Sequence, residues 1–222
     1  LFNCDISKWN VLKVTDMTDI LDNCMSFNKD ILHWNTPTVS VSLKEKFKGT
    51  HVTKATLESI ETHNVHEFDS MFENATFSSD AYEILDTLNL GAAISTRNMF
   101  KNSDFKGDVS QWDISKVRDM SGMFENVRTL DTNFSTWNTK NIRRIDNMFK
   151  GTSFAGDLSN WNTNNLVSAN GTFELVGDVK GIDKWNITSL RNMDRIFKGV
   201  SISNMDDILL SWAKQKIDYT PN

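Results

Sequence analysis

Tryptophan is the feature that most restricts this chain, because so rare a residue recurs on a fixed beat. The seven tryptophans are Trp9, Trp34, Trp112, Trp137, Trp161, Trp185 and Trp212, and the steps from Trp112 to Trp185 are 25, 24 and 24 residues. A long-period repeat of this kind marks a stack of similar units. Asn or Asp follows all but the last (Asn10, Asn35, Asp113, Asn138, Asn162, Asn186). Five residues past the Trp comes an aliphatic, as at Val14, Val39, Val117, Ile142, Leu166 and Leu190. Farther on comes a pair such as Met123-Phe124, Met148-Phe149, Thr172-Phe173 or Ile196-Phe197. Between Trp34 and Trp112 the template frays: Ile60 and Leu88 stand in for Trp, while Met71-Phe72 and Met99-Phe100 keep the second half.

Two periodicities share each repeat. Val117, Met120, Met123, Phe124 and Val127 fall on one stripe at helical spacing, so this half is expected to be a short helix. Ser110 to Ile114 alternates, with Trp112 and Ile114 on one side and Gln111 and Asp113 on the other, which predicts a short half-buried strand. Asp5, Asp30, Asp108 and Asp157 precede their Trp by four residues and suit the turn into it. The expected fold is α/β: a right-handed solenoid of about eight coils of 24–25 residues, built of short parallel strands and short helices. Residues 1–203 form the repeats, with 35–97 degenerate, and 204–222 a C-terminal capping helix and tail. In that helix Met205, Ile208, Leu209 and Trp212 make one face, Asn204 caps the start, Asp206 and Asp207 lie in the first turn, and Lys214 and Lys216 in the last. Leu1 and Phe2 enter the template at the column of Phe27, Phe105 and Phe154, so upstream sequence or a partner covering the first coil is expected.

The string from Phe105 through Trp112, Val117 and Met120 to Phe124 resembles the repeat of the BspA-like leucine-rich-repeat surface proteins, a family met in bacterial surface proteins, mycoplasma lipoproteins and viral genomes. Met205 to Ala213 is similar to the closing segment such proteins carry. The resemblance implies a leucine-rich-repeat-like architecture and a surface-displayed, non-catalytic module used in adhesion or partner binding.

Composition narrows the partners. The net charge is −5, with 29 acidic and 24 basic residues and no basic stripe, which argues against nucleic acid. No apolar run is long enough to span a bilayer, so no membrane insertion is expected of the visible chain. Cys4 and Cys24 read as free thiols, with a bridge between neighbouring coils as the alternative in an oxidising compartment. His63 and His66 could share a helical face and hold a metal, but no third ligand lies at a matching spacing, and exposed polar substitution explains them. No nucleophile elbow, phosphate loop or zinc-protease motif occurs, so no enzyme, metal or cofactor is expected. Sequons lie at Asn74, Asn133, Asn170 and Asn186, as an Asn- and Thr-rich chain produces by chance. The Met and aromatic columns read as core. The Asn column after Trp reads as an amide ladder between coils, as a ligand surface, or as both.

The function expected is recognition or adhesion at a cell surface or outside the cell. A protein or glycan would bind the sheet face through the residues that flank each Trp: Lys8, Asn10, Gln111, Asp113, Thr136, Asn138, Asn160, Asn162, Lys184 and Asn186. The alternative is a structural spacer or a component of a larger assembly such as a virion.

Overall fold

A computed structural model describes residues 2–6, 8–11, 14, 42–60, 62, 63 and 65–215. Expectations that fall on Cys24, Phe27, Asp30, Trp34, Asn35, Val39 and Lys216 lie outside the described residues. The α/β solenoid of about eight strand-and-helix coils is overturned. Among the described residues the regular elements are a pair of two-residue parallel strands, β1 (His51–Val52) and β2 (Thr76–Phe77), and two α-helices, α1 (Lys54–Glu58) and α2 (Met205–Ala213), with four short 3-10 turns. The rest is turns and irregular backbone. These strands and α1 sit in the stretch 35–97 where degenerate repeats were expected. A reciprocal capping box starts α1: the Thr53 hydroxyl accepts from the Thr56 N–H, and the Thr56 hydroxyl accepts from the Thr53 N–H.

The physical reasons for the correction are local. The expected strand at Ser110–Ile114 is interrupted by side chains that bond their own backbone. Asp108 Oδ1 accepts from the Ser110 N–H at 2.9 Å, and Asp113 Oδ1 accepts from the Ser115 N–H at 3.0 Å. Such turns compete with any strand ladder. The expected helix at Val117–Val127 fails because Gly122 and Asn126 take left-handed backbone, with φ of 65° and 62°. Its N–H groups therefore divide into two sets. Those of Met123, Glu125 and Val127 close turns onto carbonyls three residues back, while those of Met120, Gly122, Phe124 and Asn126 donate to Arg144, Asp146, Met148 and Lys150 in the next repeat.

What repeats is thus a run of consecutive β-turns, hydrogen-bonded tier to tier. Single parallel bridges join Ser42, Glu67, Ser95, Asp119, Arg144, Ser168 and Asn192 in succession. The five apolar residues of the expected helix are still fully buried, because the turns aim them to one side as a helix would. Inside, Phe47, Phe72, Phe100, Phe124, Phe149, Phe173 and Phe197 form one column, with neighbouring ring centroids 5.5–6.3 Å apart and planes within 17°. Each Trp from Trp112 onward is buried and donates its indole N–H to a backbone carbonyl of the preceding repeat: Leu85, Val109, Phe134, Leu158 and Ile182. Trp9 departs from this pattern at 54% exposed.

At the C-terminal end α2 takes the place of a further repeat. Trp212 stacks on Phe197 at 5.8 Å, and Ser211 Oγ donates to the Asp183 carbonyl. Gln215 accepts from the Ile187 N–H and donates to the Trp185 carbonyl, so one amide serves two backbone groups. Ile208 and Trp212 are buried as expected for the inner face, but Leu209 is 53% exposed, and Asn204 makes no side-chain cap. The apolar face is therefore narrower than the sequence pattern suggests.

Candidate binding surfaces

Two outer surfaces present chemistry. The first is the face beside the Trp column. Lys8, Asn10, Gln111, Asp113, Thr136, Asn138, Asn160, Asn162 and Lys184 are exposed, and Asn186 is half-buried. No sheet underlies them, so the surface is a row of turns and not a sheet face. The Asn residues after Trp do not form the expected amide ladder. Each instead accepts from the N–H two residues on: Asn138 from Lys140 at 3.4 Å, Asn162 from Asn164 at 3.1 Å and Asn186 from Thr188 at 2.9 Å. The Ser115 hydroxyl and N–H hold the Asp113 carboxyl below its ordinary range. Asp183 beside Lys184 raises that ammonium's affinity for its proton.

Stacking in this face comes from the next position. The Thr139 hydroxyl accepts from the Asn162 N–H at 2.7 Å and donates to the Asn162 carbonyl at 3.2 Å, and Thr163 does the same for Asn186. Thr136 Oγ1 donates to the Ser110 carbonyl at 2.7 Å. With the backbone served in this way, the amide Nδ2 groups of Asn138 and Asn162 and the whole amide of Asn160 face solvent without a partner among the described residues.

The second surface lies over the turn ladder and was missed in the sequence, although its signal is plain once the Phe column is aligned. The residue after each Phe alternates in sign: Lys48, Glu73, Lys101, Glu125, Lys150, Glu174, Lys198. In space these side chains pair along the stack, with Lys48–Glu73 at 3.9 Å, Lys101–Glu125 at 2.9 Å, Glu125–Lys150 at 3.6 Å, Lys150–Glu174 at 4.0 Å and Glu174–Lys198 at 3.0 Å. A shift of one repeat would set like charges opposite, so the column specifies register. One residue farther on, Asn74, Asn102 and Asn126 form an amide ladder: Asn102 Nδ2 donates to Asn74 Oδ1 at 3.2 Å, and Asn126 Nδ2 to Asn102 Oδ1 at 2.8 Å. An Asn ladder therefore exists, in a different column from the one expected. Beside it a groove of about 420 Å³ is lined by Arg97, Arg144, Asp119 and Asp146, whose charges are tied up by Arg144 Nη2 to Asp146 at 2.6 Å and Arg144 Nε to Asp119 at 3.6 Å.

His63 and His66 are exposed and lie outside any helix, and no group of three His, Cys, Asp or Glu able to hold a metal occurs among the described residues. Cys4 is an exposed free thiol. No helix among the described residues is long and apolar enough to cross a membrane.

Comparison with curated protein sequences and with solved structures gives no match to either. Family comparison matches residues 1–101 and 94–212, which together cover nearly all of the chain. The chain belongs to the DUF285 family, described as a Mycoplasma protein of unknown function.

Proposed function

We propose that this chain is a non-enzymatic recognition module of the BspA-like surface type, which binds a protein or glycan through the turn face beside the Trp column at a cell surface or outside the cell. The observation that supports this reading is the division of labour in that face. Backbone groups are satisfied by Asx turns and by Thr139 and Thr163, while Asn138 and Asn162, short exposed side chains held by those turns, keep unengaged Nδ2 groups and Asn160 adds an exposed amide beside them. Such a surface offers many hydrogen bonds with little side-chain entropy to lose, which suits a sugar or a wet protein interface. The test is a glycan and host-surface-protein binding screen with the intact chain, repeated on the Asn138→Arg/Asn162→Arg pair. Saturable binding abolished by the pair at an unchanged melting temperature supports the proposal. Binding untouched by the pair overturns it.

A further inference from the structure

Within the turn ladder the tier-to-tier hydrogen bonds run from N–H groups of one repeat to carbonyls of the next, whereas those of Arg118, Arg143, Val167 and Arg191 run back to the repeat before, so the ladder positions of the last described repeat have donors left over. The positions of Met120, Gly122, Phe124 and Asn126 are held there by Met193, Arg195, Phe197 and Gly199. Among the described residues none of these four N–H groups finds an acceptor. The α2 helix does not cover them, because Trp212, Ser211 and Gln215 make their hydrogen bonds to Ile182, Asp183, Trp185 and Ile187, in the other half of the repeat. Arg195, Lys198 and Gly199 are exposed, while Met193 and Phe197 are only partly covered.

Among the described residues the side-chain columns stop at the same place. Phe100 stacks on both Trp112 and Phe124, and Phe149 contacts both Trp161 and Phe173, and both are fully buried. Phe197 stacks on Phe173 and Trp212 but has no following Phe among the described residues. The alternating charge column ends on Lys198, which is 59% exposed and pairs with Glu174 on its inner side alone. Among the described residues no chain pairs with this half of the repeat, while α2 and Gln215 are bonded to the other half.

We propose that the strip from Met193 to Gly199 binds a peptide segment that takes up the run of turns of a further repeat and in which an aromatic side chain is followed by an acidic one. The peptide carbonyls would accept from the four open N–H groups, as in strand addition to an exposed edge. Its aromatic ring would lie on Phe197, and its carboxylate would meet Lys198 and continue the alternation. The chain itself shows this chemistry at Phe72-Glu73, Phe124-Glu125 and Phe173-Glu174, each seated on a Phe-Lys or followed by one. This site is independent of the Trp-flanking face.

The probe is a blocked synthetic peptide with residues 121–127 of this chain, compared with the same peptide carrying Glu125→Lys. Binding is read by anisotropy, and site by amide exchange at Met193, Arg195, Phe197 and Gly199. In the chain alone these amides exchange rapidly. The acidic peptide protects them and binds about fivefold more tightly than its lysine counterpart, the scale of one partly exposed ion pair. Lys198→Glu reverses the preference, and Lys198→Gln removes it, each at an unchanged circular dichroism spectrum. Amides already protected in the chain alone, concentration-dependent self-association that protects them, equal binding of both peptides, or a preference that survives Lys198→Gln would each overturn the proposal.

Discussion

Replacing Trp137 with Ala tests the central packing argument. Its ring is 3% exposed, meets Phe134 edge to face at 4.8 Å and 81°, and donates its indole N–H to the Val109 carbonyl at 3.0 Å. Emptying so large a buried aromatic site costs about 3–5 kcal/mol. Within that figure, leaving a buried carbonyl without its donor accounts for about 1–3 kcal/mol, and loss of the ring pair for about 0.5–1.5 kcal/mol. Trp137→Phe separates these contributions, because it keeps most of the buried ring and loses the N–H, and should cost roughly 1–2 kcal/mol. A stack of repeats need not unfold in one step, so urea unfolding should be followed by native-state amide exchange. The amides of the two repeats that flank Trp137 should lose protection first. A cost below about 1 kcal/mol for Trp137→Ala would refute the reasoning, since it would mean that the Trp column does not hold neighbouring repeats together.

Other outcomes follow from single positions. Lys46 occupies the column of Met71, Met99, Met123 and Met148, and burial depresses its pKa to about 8 from 10.5. The unfolded chain therefore holds the proton more tightly, so the stability of the repeat around Phe47 rises with pH between 8 and 10.5 and is lowest below 8. Lys46→Met should raise the melting temperature at pH 7 and flatten this dependence, as thermal scans across that range would show. Gly181→Ala drives a Cβ into the Ser159 backbone nitrogen at a φ of 81°, and should cost at least about 2 kcal/mol in urea unfolding. Glu125→Lys would set three lysines in a row with Lys101 and Lys150, at a cost of about 1–2 kcal/mol. That cost should shrink in 1 M salt, and salt-independent destabilisation would count against a charge ladder.

Burial was legible in the sequence where conformation was not. The alternation of Gln111, Trp112, Asp113 and Ile114 assigns inside and outside correctly, because a chain that runs past a core alternates whether or not its N–H groups join a ladder. The stripe from Val117 to Val127 misled for a related reason: two consecutive turns and a helix aim nearly the same residues inward. The sign against a helix lay in Gly122 and Asn126, four residues apart, and in the matching Asn98 and Asn102, Asn147 and Gly151. Gly and Asn are the residues that take left-handed backbone at least cost. The polar residues beside Trp were found, but their local bonds were not, since an Asn facing outward gives no sign of whether its oxygen will reach its own backbone or a neighbouring coil.

The alternation from Lys48 to Lys198 joins the register of the stack to its C-terminal edge. Neutral columns such as the Phe rings are indifferent to a slip of one repeat, because every ring meets another ring. The charge column is not indifferent, because a repeat that docked on the next-but-one repeat would meet a like charge at that junction in place of an opposite one. Each pair is worth little at partial exposure, but the misdocked junction loses an attraction and gains a repulsion together. The same property makes the open edge selective, as it distinguishes an acidic segment from a basic one where backbone N–H groups and a Phe ring would accept either. Specificity then rests on the repulsion of the wrong partner as much as on the attraction of the right one, and Lys198 is the residue at which the stack's own register rule meets an incoming chain.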